Sequence, residues 1–157
     1  MTTVVVDTCL AVKWVITQQY TDQAIDLASG WAASSIDVLA PALFPSEVAN
    51  TLYKYVHRGA GSPAPLTITI DEAKLLAWQV LNVVEIIPDD NTLIERALEL
   101  ALRWHRPDAY DALFAALAER RGCDFWTADG KFFNAVRHHC GWVRHVAAHV
   151  IAPPPNS

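Results

Sequence analysis

Thr3-Val-Val-Val-Asp7-Thr-Cys-Leu-Ala-Val-Lys-Trp14 decides the fold. Thr3 to Val6 is an unbroken β-branched run, which reads as a strand buried on both faces, and Asp7 ends it. Beyond the acid the period changes, and Leu10, Val12, Trp14 and Ile16 predict a helical stretch. The alternation continues downstream. Helices are predicted over about 21–33, 45–57, 71–81, 91–104, 109–121 and 131–138, and strands over 37–40, 83–87, 123–127 and 142–146. Pro41 is expected to stop the second strand, and Gly59-Ala-Gly-Ser-Pro-Ala-Pro65 reads as a loop too short to divide domains. Apolar strands alternating with helices indicate an α/β protein with a parallel sheet covered on both faces. In such sheets ligands gather beyond the carboxyl ends of the strands. That rim takes Asp7, and also Asp129, just after the fourth strand.

A length of 157 residues fits a single domain, assigned to 1–150, with 151–157 as a disordered tail marked by Pro153-Pro-Pro155. Apolar residues at 52% are enough for a core and too many for a disordered chain. Charged residues at 18% fall below the roughly 25% usual for soluble domains, which leaves apolar surface for a partner. Asp7 and Lys13 interrupt the apolar opening, and no run approaches the ~20 residues of a membrane span. Neither membrane insertion nor a signal peptide is expected. Three cysteines form no paired framework, which favours a reducing cytoplasm. The net charge of −5 does not suggest a nucleic-acid binder, but its distribution matters more than its sum. From residue 119 onward five Lys/Arg accompany three Asp/Glu and four of the six histidines. That balance suits an acidic site set in a near-neutral surface.

Four carboxylates are candidates for such a site: Asp7, Asp129, Glu47 in Phe44-Pro-Ser-Glu-Val, and Asp111 near the start of a helix. Singly, each has an ordinary explanation, because acids favour loops and helix N-termini. Together they would need a cation, since two unit charges 4 Å apart repel by roughly 4 kcal/mol at an effective dielectric of 20. All-oxygen ligation suits Mg²⁺ or Mn²⁺. Their convergence is at this point an assumption.

The opening Val4–Trp14 resembles that of PIN domains, specifically VapC-type toxin ribonucleases of VapBC toxin–antitoxin systems. Pro45-Ser-Glu-Val-Ala-Asn50 is similar to the family's second motif, Tyr110–Glu119 to its third, and Phe125-Trp-Thr-Ala-Asp-Gly-Lys-Phe132 to its fourth. The resemblance implies a three-layer α/β/α fold and a metal-dependent endoribonuclease, the toxin of a type II pair. It implies that Asp7, Asp111 and Asp129 hold one or two Mg²⁺ or Mn²⁺ ions, with Glu47 a ligand directly or through water. Products would carry 5′-phosphate and 3′-hydroxyl ends. Thr127 matches the threonine two before the last acid, whereas Cys9 stands where such proteins often carry serine, a better hydrogen-bond partner for Asp7. The implied partners are RNA, a VapB-like antitoxin and a second copy of the chain.

Lys54 and Arg58 follow Glu47 by seven and eleven positions, on its helical face, and are candidates for RNA phosphates. Asp108, one turn before Asp111, is the substitute acid, and Ala115 and Ala118 would allow close approach over the site or else serve plain helix packing. Trp14, Ile16 and Trp31 are candidates for an exposed groove that receives a partner helix, or else for the core. His145, His149 and nearby Cys140 suggest zinc only weakly, for want of a four-ligand signature. Two other functions remain in play. A PIN-like module could hold RNA or protein without cutting. A phosphatase or receiver would need a second acid near Asp7, and Cys9 occupies the phosphatase position.

Overall fold

The computed structural model describes residues 2–58 and 67–153. The expected loop at Gly59–Pro65 and the last four residues of the expected tail lie outside them. Five strands, β1 (Thr3–Val6), β2 (Asp37–Pro41), β3 (Val84–Ile87), β4 (Phe125–Thr127) and β5 (Val143–His145), form one sheet in the order β3-β2-β1-β4-β5. Every pairing is parallel. The helices are α1 (Thr8–Ala11), α2 (Thr21–Ala33), α3 (Phe44–Arg58), α4 (Ile70–Leu81), α5 (Asn91–Arg103), α6 (Tyr110–Arg121) and α7 (Gly130–Val136).

Side-chain alternation along β4 fixes the layers. Phe125 points to one face, where its ring lies 5.7 Å from Phe114 of α6 and 5.9 Å from Phe132 of α7. Trp126 points to the other, 6.4 Å from Trp31 of α2. The sheet is therefore covered on both sides, as its apolar strands require. β1 is the central strand, and Val4, Val5 and Val6 are buried. α6 approaches it closely because Ala112, Ala115, Ala116 and Ala118, all buried, keep that helix thin.

Local differences from expectation have local causes. The helix predicted through Ile16 is α1 followed by a 3₁₀ turn over Val12–Trp14. Pro41 does not stop β2; it pairs with Ile87 of β3. Pairing of β2 with β1 ends at Leu39, so beyond it only one neighbour asks for hydrogen bonds and proline is tolerated. β4 starts two residues late because α6 exits through Gly122 in the left-handed region, with the Cys123 amide closing on the Ala118 carbonyl.

Ile16 and Trp31 are buried, and the indole N–H of Trp14 donates to the Ala24 carbonyl at 3.1 Å. Of the two readings open for these residues, an exposed groove or the core, the core holds: they close its α2 side. Apolar exposure lies elsewhere: on Tyr53, Ile70, Leu75 and Trp78 of α3 and α4, and on Ile94, Leu98 and Leu102 of α5. Among the described residues no helix is long and apolar enough to cross a membrane.

Candidate functional site

The chain runs from β1 outward to β2 and β3, then returns to place β4 on the other side of β1. The order therefore reverses between β1 and β4, the position where a parallel sheet opens a crevice at its carboxyl edge. Asp7 leaves β1 and Asp129 follows β4 on either side of that reversal. Each caps the next helix: Asp7 Oδ1 accepts from the Leu10 amide at 2.9 Å, and Asp129 Oδ1 from the Phe132 amide at 3.0 Å. The buried Thr127 hydroxyl joins them, donating to Asp7 Oδ2 and accepting from the Asp129 amide.

α3 brings Glu47 in its first turn, where Pro45 costs no hydrogen bond. Glu47 Oε2 accepts from the Thr8 hydroxyl at 2.9 Å. α6 brings Asp111, also in its first turn, with the Arg106 guanidinium 3.9 Å from Oδ2. All four acids line one cavity of about 360 Å³, together with Thr8, Cys9, Asn50, Thr51 and Lys54.

The carboxylates are costly to ionise there. Burial is the main force that raises Asp7 to about 7; repulsion from Asp111 and Asp129 adds to it, while the Thr127 and Leu10 hydrogen bonds resist. Asp111 rises to about 6 through burial and then through Asp129 and Asp108, with Arg106 opposing. Glu47 also rises, chiefly by burial, against the Thr8 hydrogen bond. An oxygen-only donor set under mutual repulsion fits a hard divalent cation. Among the described residues no group of three or more acidic, histidine or cysteine side chains stands close enough together to hold a metal ion as it is. By donor chemistry alone, oxygen without sulfur or imidazole, the acids suit Mg²⁺ or Mn²⁺ better than zinc.

Not every candidate joins the cavity. Arg58 is exposed and lies 5.5 Å over the Tyr55 ring, and it is not part of the lining that includes Lys54. Cys9 lines the cavity, but both Asp7 oxygens are met by Leu10 and Thr127, so no serine-like support from position 9 is needed. Its thiol is raised, first by desolvation and then by the neighbouring Asp7. Ala115 and Ala118 are buried in the packing of α6 rather than over the cavity, and Asp108 acts on Asp111 by charge. The zinc suggestion fails: His149 pairs with Asp26 at 2.6 Å, His145 Nδ1 accepts from the Ala147 amide, and Cys140 is buried. Residues that sequence reading passed over include Gln18, Thr8, Asn50 and Thr51. The last two follow Glu47 at i+3 and i+4, a spacing that could have marked them.

Among curated proteins none matches the chain. Among solved structures, the protein PAE2754 of Pyrobaculum aerophilum superposes with a TM-score of 0.61 at 20% identity, over 92% of this chain and 90% of that one. VapC20 of Mycobacterium tuberculosis, described as a sarcin–ricin loop cleaving toxin, superposes at 0.59 and 20% identity, over 84% of this chain and 94% of its own. These likenesses establish a shared fold. The PIN domain family model matches residues 4–138, a span that holds all four acids and Thr127, and the chain belongs to the PIN-domain family.

Proposed function

We propose that this protein is a metal-dependent endoribonuclease and the toxin of a type II toxin–antitoxin pair. The carrying observation is the convergence of four carboxylates from four separate elements on one cavity at the sheet's reversal point, two of them raised to about 7 and 6. Asp7, Asp111 and Asp129, with Glu47 directly or through water, would hold Mg²⁺ or Mn²⁺. When bound, the ion lowers the pKa of water and neutralises charge developing on the phosphate. The chain's own residues supply the rest. Thr127 fixes Asp7 and the backbone of Asp129 with one hydroxyl, and Thr8 fixes Glu47, so these acids are set before substrate arrives. Lys54 offers the cavity an ammonium for an RNA phosphate.

The partner part of the reading is supported by apolar surface exposed among the described residues. A groove between α3 and α4, lined by Ala49, Leu52, Tyr53, Ile70, Ala73 and Ala77, suits an amphipathic antitoxin helix. Ile94, Leu98 and Leu102 form an i, i+4, i+8 stripe on α5 suited to a second copy. The test is incubation with transfer RNA, ribosomal RNA fragments and a sarcin–ricin hairpin, with Mg²⁺, Mn²⁺ or chelator, followed by end mapping. Cleavage that needs the ion and leaves 5′-phosphate ends is expected. RNA binding without cleavage under every condition would favour the non-catalytic module instead.

A further inference from the structure

Lys13 is the one lysine or arginine buried among the described residues, at 6% exposure. An ammonium taken out of water normally has a carboxylate beside it. Among the described residues none lies within ion-pair distance of Lys13. Its hydrogen bond runs to Gln18 Oε1 at 3.4 Å. Lysine only donates, so this contact favours the Gln18 amide with its oxygen toward Lys13 and both N–H groups turned to another acceptor. No protein acceptor takes them among the described residues, and Gln18 lines the cavity of the four acids. The Gln18 backbone is fixed as well. Its amide donates to the Thr21 hydroxyl at 2.9 Å, and its carbonyl accepts from the Thr21 amide at 3.3 Å.

A cavity with carboxylates, an ammonium from Lys54 and an outward amide donor is furnished for a ligand that only accepts, next to a cation. We propose that Gln18 contacts the RNA, donating an amide N–H to a phosphate oxygen beside the acids, and that Lys13 is the positioning residue that holds the amide in that orientation. The proposal rests on the nuclease reading and adds a second substrate donor to Lys54.

Binding of a fluorescein-labelled RNA hairpin, read by anisotropy in Ca²⁺, and its cleavage in Mn²⁺ test this on the full chain. Gln18→Ala should weaken binding roughly three- to tenfold, the worth of one hydrogen bond, and raise KM more than it lowers kcat. Lys13→Met should weaken binding by a similar factor, and the double variant should be no worse than either alone. Should Lys13→Met fail to fold, Gln18→Glu carries the test. It keeps an acceptor for Lys13 and should hold or raise Tm, yet bind RNA more weakly than Gln18→Ala. Wild-type binding by both Gln18 variants would overturn the contact. Additive losses in the double variant would instead make Lys13 a counter-charge to the acids. A wild-type protein that neither binds nor cuts RNA defeats the nuclease reading itself, and this proposal with it.

Discussion

Replacing Asp7 by Asn should stabilise the metal-free protein, and by an amount that depends on pH. Raising a carboxyl from 3.8 to about 7 corresponds to about 4 kcal/mol at 1.36 kcal/mol per tenfold change in the equilibrium. The sign follows from linkage: the folded state holds the proton more tightly, so stability falls as pH rises from 3.8 and the loss is complete above about 7. Asn never ionises and avoids that loss. It also meets its partners imperfectly. Its oxygen can accept from Leu10, but its NH₂ faces the Thr127 hydroxyl, which already accepts from the Asp129 amide and would lose the acceptor for its own proton. One misplaced hydrogen bond costs about 1 kcal/mol. The net gain at pH 8 is therefore roughly 2–3 kcal/mol, or about 5–10 °C in Tm for a chain of this size. At pH 5 wild-type Asp7 is mostly protonated in the folded state, and the gain should shrink to about zero. Thermal denaturation in chelator at both pH values measures it. Mn²⁺ should raise Tm of the wild type and leave Asp7→Asn nearly unmoved. A variant no more stable than wild type at pH 8 would refute the claim that Asp7 is held at a cost.

Thr127→Val should destabilise by about 1–3 kcal/mol in urea titration, because a buried hydroxyl serving two partners is lost; by freeing Asp7 to rise further it should also move metal binding to higher pH. Mn²⁺ titrated calorimetrically at pH 6, in buffers of different ionisation enthalpy, should release about one proton, falling toward none above pH 8 as Asp7 and Asp111 lose theirs beforehand. Trp31→Ala should cost about 3–5 kcal/mol in urea, since Trp31 is buried against Trp126, while leaving affinity for an antitoxin helix within about threefold. A selective loss of partner binding at unchanged stability would return Trp31 to the surface role that was the other reading of the sequence.

The site was more legible than the surface. Strand-end acids are readable because a β-branched run that stops at an Asp marks both the end of a strand and its edge of the sheet. Thr127, two residues before Asp129, was caught by motif resemblance. Its double hydrogen bond was not, because that depends on β1 and β4 lying side by side, a pairing between residues about 120 positions apart. Trp14, Ile16 and Trp31 show the opposite case. Helical spacing says which residues share a face, but which face meets the sheet depends on how α2 is carried over it, and that is set by the crossover from β1 to β2. Lys13 could not have been singled out either. A lysine in an amphipathic stretch reads as solvated, whereas Lys13, in the 3₁₀ turn that follows α1, is buried.

The costly carboxylates also explain how the rest of the sheet is built. β1 carries Asp7 at its end, and its three valines are buried completely or nearly so, at 2%, 0% and 0% exposure. Phe114, Phe125 and Phe132 pack against one another on one face of the neighbouring strand, and Trp31 and Trp126 meet on the other. Apolar packing of this kind does not depend on pH or on metal, so the strands stay in place whether the acids are protonated, ionised or holding a cation. Repulsion among Asp7, Asp111 and Asp129 is then not relieved by the cavity opening. It persists until a proton or a divalent ion arrives, and a cation that binds only the folded chain adds RT ln(1 + [L]/Kd) to its stability. The fixed packing of β1 and β4 is what would let four ordinary acids serve as the metal site proposed for them.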